Sequence, residues 1–495
     1  MRPDFLNLEY SDVRAVVDSG PQDVGWVQQE LGGVKLGDKR LERRLIATAE
    51  KLSESPVSPI NEACATWACT KAAYRLFNNS KTKAGEILRP HTNETVKRMA
   101  ANGGPVLVIQ DTVFISYGKH PNTKGLGPIG KSNNSTDRGL IMHNAFALTT
   151  SGVALGIVSQ EIWARKEVPD ETKSEKNQRI KLMPIEEKES SKWLIALKKT
   201  VELTPPGVKV ITLADRESDF FEFITEAKNL SALYLIRAKN DRKLDGDDPY
   251  DTISEALAAA LVIGTREVDI PGNGKRLART AIVAIRAAEV TIKPPQQHPN
   301  AKALDATREP ITLNVVSATE VNPPTGTEAL SWVLLTNLPV RNFDDAAEKI
   351  DWYVKRWVIE TWHKVLKSGC NVEDCLLETA DRLKRFLTLF SIIAFRLMHI
   401  TYLARASPDS PNTEVFSNEE IEALYIRVTK TRPPVDKPGT LREAVQMIGS
   451  LGGHLGRTGD GYAGITVMWR GLMRLYEDVE MLRAHKAVLQ SSNTS

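Results

Sequence analysis

The sequence has few cysteines and almost no net charge. Its 495 residues include only four cysteines, and 65 lysines and arginines against 62 aspartates and glutamates give a formal net charge of +3. So small an excess excludes a histone-like polycation, and any binding to nucleic acid would depend on local basic patches. So few thiols in so long a chain are typical of a reduced, cytosolic protein.

Signals for export, membrane insertion and zinc binding are also lacking. The first residues contain no charged segment followed by an apolar one, so no secretory signal is expected. The most apolar stretch, 386–403, is interrupted by Arg396 and His399, which favours a buried helix over a membrane span. The cysteines form two close pairs: Cys64 and Cys69, and Cys370 and Cys375. Neither pair has the CxxC spacing of a typical zinc site.

The length and a hydrophobic content of 41% are sufficient for several buried cores. The first part of the chain has helical periodicity, and Asp38 can cap a helix that reaches about Leu52. Strand patterns begin near Val106, and helical patterns dominate after Asp344. We therefore predict three parts: a helical N-terminal domain over 1–80, an α/β core over 81–375 with an antiparallel β-sheet insertion at about 242–337, and a helical C-terminal region over 376–495.

Two apolar runs, 105–110 and 208–214, are each followed by an aspartate. These aspartates are Asp111 and Asp215, and we expect each of them at the carboxyl end of a buried strand. Open α/β sheets place their binding and catalytic sites at such strand ends. Alternatively, each aspartate only caps a turn.

A third acidic residue, Glu360, lies in a segment with helical periodicity, 343–367. At 100° per residue, one arc of about 60° contains four functional side chains: Tyr353, Arg356, Glu360 and Lys367. The opposite side of this helix is apolar: Val354, Val358, Trp362, Val365 and Leu366. The alternative interpretation of the polar stripe is a solvated charged face.

These side chains together suit phosphoryl transfer. Carboxylates from three separate elements can hold two Mg²⁺ ions, which require hard oxygen ligands. Two metal ions about 4 Å apart would activate a water or a 3′-hydroxyl and stabilise the leaving oxygen. Tyr353, Arg356 and Lys367 would then bind the flanking phosphates.

The spacing Tyr353-x2-Arg356-x3-Glu360-x6-Lys367 resembles the Y-R-E-K signature of bacterial DDE transposases of the insertion-sequence-four group. The resemblance is greatest to its Tn5-like, cut-and-paste members. Further segments agree with it in order: Gln110–Thr112, Ala214–Asp219, Tyr234–Lys239 and Trp332–Thr336. It extends over about 36–473, nearly the whole chain.

This resemblance implies an RNase H-like catalytic core, interrupted by the β insertion and flanked by α-helical domains. Asp111, Asp215 and Glu360 would be the metal-binding triad, with two Mg²⁺ ions per active site and Mn²⁺ able to substitute. Such enzymes nick DNA at the transposon end, and the freed 3′-hydroxyl attacks the opposite strand to form a hairpin. The hairpin is then reopened before insertion into target DNA.

The resemblance also implies contacts with DNA. Trp332 would stack on a base flipped out of the hairpin, and Arg237 and Lys239 would contact phosphates. Three arginines, Arg40, Arg43 and Arg44, would belong to the domain that reads the transposon ends. The alternatives are a core tryptophan for Trp332, surface ion pairs for Arg237 and Lys239, and a solvated helix face for the three arginines.

The partners expected for such an enzyme are double-stranded DNA, both as transposon ends and as target, and a second copy of the chain. By resemblance the synaptic homodimer would use the 452–489 region. No nucleotide cofactor and no membrane are expected, and the protein would act in the bacterial cytoplasm, associated with the nucleoid when bound to DNA. The alternative function is a catalytically silent, transposase-derived DNA-binding regulator or inhibitor.

Overall fold

The computed structural model describes residues 25–130, 137–167, 171–270, 278–295, 309–434 and 439–492. Residues 1–24 of the predicted N-terminal domain lie outside this range. The same is true of 271–277 and 296–308 in the predicted β insertion.

A mixed β-sheet lies at the centre of the described structure. Its strands are β1 (Val106–Ser116), β2 (Gly127–Pro128), β3 (Arg138–Thr149), β4 (Ala154–Trp163), β5 (Val210–Ala214), β6 (Leu233–Arg237), β7 (Gly264–Ile270), β8 (Arg279–Ile292), β9 (Ile311–Glu320) and β10 (Ser331–Thr336). Their order is β2-β3-β1-β5-β6-β10-β9-β8-β7, and β4 also pairs with β3. The β1–β5 and β5–β6 pairs are parallel. The other pairings between these strands are antiparallel.

Helices cover this sheet and form both ends of the described structure. They are α1 (Trp26–Leu31), α2 (Lys39–Glu54), α3 (Ile60–Ala63), α4 (Trp67–Asn78), α5 (Ala84–Ala101), α6 (Lys173–Leu182), α7 (Ser191–Leu203), α8 (Phe221–Asn229), α9 (Ile253–Ala259), α10 (Phe343–Val354), α11 (Trp357–Lys364), α12 (Ala380–Ala406), α13 (Asn418–Thr429), α14 (Leu441–Leu451) and α15 (Ile465–Ser492). The prediction of a mixed α/β core flanked by helices is therefore confirmed at this level.

The centre of the sheet is buried on both faces. Successive side chains of a strand point to opposite faces, and each face packs in a different hydrophobic cluster. Leu107 and Ile109 of β1 belong to the large cluster that includes α12. Val106 and Val108 instead pack in a cluster with Met99 of α5. Strands buried on both sides have nearly continuous apolar sequences, which is the pattern that identified β1.

Two predicted local features are confirmed. Asp38 caps α2, accepting a hydrogen bond of 2.8 Å from the backbone N–H of Arg40. Helix α12 is long and apolar enough to cross a membrane, but 89% of its most apolar window is buried inside the protein. It is therefore a core helix, as the interruptions at Arg396 and His399 predicted.

The strand-rich segment joins the core sheet directly. Within it, β7, β8, β9 and β10 are paired antiparallel, and β10 also pairs antiparallel with β6. In register, Leu334 of β10 lies opposite Arg237 of β6. The described part of the insertion is thus an antiparallel extension of the core sheet rather than a detached sheet.

Candidate functional site

Asp111 and Asp215 lie beside each other on neighbouring parallel strands. Ile109 of β1 is in register with Leu213 of β5. Extending this register by two residues places Asp111 next to Asp215, and adjacent strands are only about 4.7–4.9 Å apart. The sequence prediction was wrong in one respect: Asp111 does not end its strand, since β1 continues to Ser116. Only β5 ends here, at Ala214, so that Asp215 follows the last residue of its strand.

The three predicted acids influence one another electrostatically. Burial raises the pKa of Asp111 to about 7, and the charges of Asp215 and Glu360 add to this effect while that of Arg356 opposes it. Burial likewise raises the pKa of Asp215, although a hydrogen bond from the Glu217 amide opposes the shift. A carboxyl group with so high a pKa at the edge of a sheet is typical of a functional site.

Glu360 is near the two aspartates but is paired with a cation. Its carboxylate accepts a hydrogen bond from the Arg356 guanidinium, and its side chain is 52% exposed. Within the described ranges, no group of three or more His, Cys, Asp or Glu side chains is arranged to hold a metal ion. The donors have the hard oxygen chemistry that suits Mg²⁺, but Glu360 would have to leave Arg356 to join the aspartates.

The helix predicted over 343–367 is interrupted, but three members of the predicted stripe stay together: Arg356 hydrogen-bonds to Tyr353 and pairs with Glu360. Helix α10 ends at Val354, α11 begins at Trp357, and a π-helical turn follows from Val365 to Gly369. Tyr353 is only 4% exposed and lies in the core, where burial raises its pKa to about 12.

Two of the predicted phosphate-binding residues, Arg356 and Lys367, interact with groups close to the aspartates. The charge of Arg356 acts on both Asp111 and Asp215. The ammonium group of Lys367 donates to the carbonyl oxygen of Phe114, three residues beyond Asp111 on β1, at 3.0 Å. Lys367 also pairs with Glu373 at 2.9 Å. Arg356 is thus close to both aspartates, and Lys367 is held against the strand that carries Asp111.

Trp332 packs as a core residue in this structure. Only 3% of it is exposed, and its ring meets those of Tyr353 and Trp357 edge-on, with centroid distances of 5.3 and 5.7 Å. In this arrangement a nucleobase has no access to the face of the ring. Its stacking role therefore stays a prediction, which requires a rearrangement around Tyr353.

Arg237 and Lys239 lie at the end of β6, the strand next to β5. One terminal nitrogen of Arg237 donates to the Ser331 carbonyl at 2.9 Å, and burial lowers the pKa of this arginine from its usual value. The Lys239 side chain is exposed, while its backbone N–H donates to Asp219 at 2.7 Å. The charge of Asp215 acts on Arg237, and the phosphate contacts of both cations stay a prediction.

Sequence reasoning missed Lys192, a buried cation beside Asp215. Its ammonium group lies 3.4 Å from the Glu217 carboxylate, and its charge opposes the raised pKa of Asp215. The indole of Trp193 is 5.8 Å away. The sequence signal was faint, because a single lysine at the start of α7 is common on exposed helices.

A histidine also borders Asp111. The Nδ1 atom of His363 lies 3.7 Å from the Asp111 carboxylate, and its Nε2 lies 3.3 Å from the Asn144 amide nitrogen. Burial lowers the pKa of His363 to about 3, so the ring is neutral at physiological pH. Nothing in the sequence spacing indicates the proximity of His363 to Asp111.

In the N-terminal region, Arg40 and Arg43 are exposed on α2, whereas Arg44 is half-buried. The exposed side of α4 was not predicted as a functional surface. It carries Trp67, Lys71, Tyr74 and Arg75. Trp67 is 77% exposed, which is unusual for so large an apolar ring. The helical spacing of these aromatic and basic residues was a usable signal.

Comparison with known families agrees with this arrangement. Residues 23–82 match the family described as transposase DNA-binding, and residues 392–491 match the Tn5 transposase dimerisation domain. These two matches support a transposase with a DNA-binding and a dimerisation domain. More particularly, they support a transposase of the Tn5 type, as the sequence motifs predicted.

Among solved structures, one similar chain comes from a cryo-EM structure of the piggyBac transposase synaptic complex with hairpin DNA. The TM-score is 0.35 and the sequence identity 10%, over 77% of this chain and 72% of that one. A similarity of this size adds nothing to the assignment from the two family matches.

Proposed function

We propose that this protein is an active DDE transposase that cuts transposon ends by metal-dependent phosphoryl transfer and inserts them into target DNA. The observation that carries the proposal is the adjacency of Asp111 and Asp215, with Glu360 acting on Asp111, in a chain that has transposase DNA-binding and dimerisation domains. Nicking, hairpin formation and hairpin opening are the proposed sequence of steps at each end.

The sheet supports an RNase H-like core. In the order β4-β3-β1-β5-β6, β3 is antiparallel to both β4 and β1, while β5 and β6 run parallel to β1. RNase H-like domains have this combination of order and direction, and Asp111 lies on its central strand. The fold alone does not establish chemistry, so the proposal depends on the side chains.

In the proposed site, Asp111, Asp215 and Glu360 would hold two divalent cations, either Mg²⁺ or Mn²⁺. The bound ions would supply activation of a water or 3′-hydroxyl and charge stabilisation of the leaving oxygen. Glu360 separates from Arg356 when it joins the aspartates, and Arg356 then binds a phosphate oxygen instead of a carboxylate. Lys367, Arg237 and Lys239 bind flanking phosphates, and Tyr353 supports Trp332 until the ring is released.

The proposed assembly is a homodimer that pairs two transposon ends and then captures target DNA. The match to a dimerisation domain over 392–491 supports the second copy, and the match over 23–82 supports end binding by the N-terminal domain. Such a complex would form in the bacterial cytoplasm, on the nucleoid.

The test is cleavage of a duplex that carries the terminal sequence of the element encoding this chain. With Mg²⁺, the full-length protein is expected to nick the end and then yield a hairpin on denaturing gels, and chelation should stop both. Asp215→Ala should bind the duplex normally but not cut it. Cleavage that survives this substitution would contradict the metal assignment.

The second candidate function, a silent DNA-binding regulator, is favoured by one observation. Glu360 is paired with Arg356, and no three-ligand metal group is found over the residues described. A regulator would bind the end duplex without cutting it in either Mg²⁺ or Mn²⁺. The same gel therefore separates the two functions.

The exposed face of α4 gives a prediction for end binding. Trp67→Ala should weaken binding of the end duplex by about fivefold or more, because truncating a tryptophan that anchors an interface typically costs more than about 1 kcal/mol. Fluorescence anisotropy with labelled duplex measures the dissociation constant. Trp67→Phe keeps an aromatic ring and should retain most of the affinity. If the alanine variant binds the duplex as tightly as the unchanged protein, α4 is not part of the DNA-binding surface.

A further inference from the structure

The carboxylate of Asp219 is fully buried, yet it lies four residues after Asp215 at the edge of the sheet. Its Oδ2 accepts hydrogen bonds from the backbone N–H groups of Lys239 and Asn240, at 2.7 and 3.1 Å. Its Oδ1 accepts from Nε of Arg242 at 2.9 Å and from a terminal nitrogen of the same guanidinium. Both oxygens are therefore saturated by chain donors, which leaves no lone pair directed at a metal ion.

These bonds connect the ends of two parallel strands. Asp219 belongs to the segment after β5, and Lys239 to Arg242 belong to the segment after β6. The Ala238 N–H still bonds to the Val333 carbonyl of β10 at 2.8 Å, as a strand residue would. The next two amides turn away from the sheet and meet Asp219. The carboxylate thus replaces the strand partners that these amides lack.

The connection from Asp215 to Asp219 is itself held in one geometry. The Asp215 carboxylate accepts from the Glu217 N–H at 2.8 Å, and the Ser218 hydroxyl donates to the Asp215 carbonyl at 2.7 Å. A short 3-10 turn, Arg216–Ser218, fills the interval. The short turn from Asp215 is therefore fixed by hydrogen bonds, and Asp219 at its end holds the Lys239 backbone through a buried, charge-compensated carboxylate.

We propose that Asp219 is a positioning residue, which holds the backbone of Lys239 at a fixed place beside Asp215 so that the lysine side chain meets a DNA phosphate. The inference rests on the proposed function, because it concerns how the same site binds DNA. Ordering this segment in advance reduces the entropy that DNA binding would otherwise lose. We call the hydrogen bonds from Lys239, Asn240 and Arg242 to Asp219 the clamp. Arg242 neutralises the buried carboxylate, so the clamp forms without DNA or metal.

The test is a double-mutant cycle with DNA binding as its readout. Lys239→Ala removes a side chain but keeps the backbone N–H that bonds to Asp219. In the otherwise unchanged protein it should lower the salt dependence of end binding by about 0.9 in the slope of log K against log salt, the value for one phosphate contact. In the Asp219→Asn background the same change should have almost no effect, because the lysine is no longer positioned.

Equal effects of Lys239→Ala in both backgrounds would overturn the proposal and leave Asp219 with a role in stability alone. If Asp219→Asn fails to fold, Arg242→Lys serves as the second background, since it removes the guanidinium fork and leaves Asp219 in place. Asp241→Asn is the matched control, because that carboxylate bonds to Ser254 at the start of α9. If the protein without substitutions does not bind the end duplex, the proposed function itself is refuted. Loss of the clamp is a different outcome, because the protein then still binds DNA and only the salt slopes of the variants change.

Discussion

Replacing Asp111 with asparagine is expected to abolish DNA cleavage and, at the same time, to stabilise the metal-free protein. The loss of cleavage should be on the order of 10³-fold or more, because a metal ligand contributes several kcal/mol and each 1.36 kcal/mol is about tenfold in rate. End binding should be retained, since phosphates are contacted mainly by cations. Cleavage rates at saturating protein measure the first effect.

The stabilisation follows from the raised pKa of Asp111. The folded protein holds the Asp111 proton up to about pH 7, whereas the unfolded chain releases it near its ordinary value of 3.8. Between these values the folded state binds more protons, so the free energy of unfolding decreases as pH rises towards 7. A shift of about three units corresponds to up to about 4 kcal/mol, which Asp111→Asn should recover at pH 8.

Melting temperatures in EDTA at pH 5.5 and pH 8 test this linkage. The melting temperature of Asp111→Asn should exceed that of the unchanged protein by more at pH 8 than at pH 5.5. Asp381→Asn is the control, because its carboxylate is 72% exposed and its removal should shift the melting temperature little at either pH. A destabilised Asp111→Asn at pH 8 would show that the charged carboxylate is favourable in the absence of metal.

Local sequence patterns predicted the elements that depend on their own residues. The capping aspartate of α2 and the burial of α12 both follow from composition and periodicity within one segment. The continuation of β1 beyond Asp111 was also encoded, since Val113 and Ile115 alternate with more exposed residues. The prediction used only the apolar run, which stops at Gln110, and therefore placed the end of the strand too early.

The break between α10 and α11 could not be obtained from periodicity. On a straight helix Tyr353 and Trp362 differ by nine residues, or 180°, and would point in opposite directions. Both are nevertheless buried, since Tyr353 packs against Trp332 on β10 and Trp362 packs against Phe146 on β3. These partners are distant in sequence, and tertiary packing overrides the local pattern. The clamp at Asp219 was hidden for the same reason, as its donors lie 20 or more residues later.

Removing the carboxylate of Glu30 is expected to give the largest loss of stability. Glu30, on α1, accepts hydrogen bonds from Nδ1 of His91 at 2.5 Å and from Arg98 at 2.7 Å. Nε2 of His91 accepts from the Ile157 N–H of β4 at 3.0 Å, so the ring is a neutral Nδ1–H tautomer. Although burial acts in the opposite direction, Arg98 and His91 hold the pKa of Glu30 well below its usual range. The contact joins the DNA-binding region to the core sheet.

Glu30→Ala leaves the Arg98 guanidinium without its charge partner in a largely buried place, which typically costs about 3–5 kcal/mol. We expect a lower melting temperature and faster hydrogen exchange at the Ile157 amide, whose acceptor is the ring that Glu30 orients. Because the carboxylate pKa is depressed by folding, this stabilisation is present above about pH 4.5 and declines as pH falls below it.

Glu86→Gln, which breaks a more exposed pair with Arg89 on α5, should cost less than about 1 kcal/mol and leave Ile157 protected. If Ile157 exchanges equally slowly in both variants, Glu30 does not hold the N-terminal helices to the sheet, and the two parts of the protein are stabilised independently.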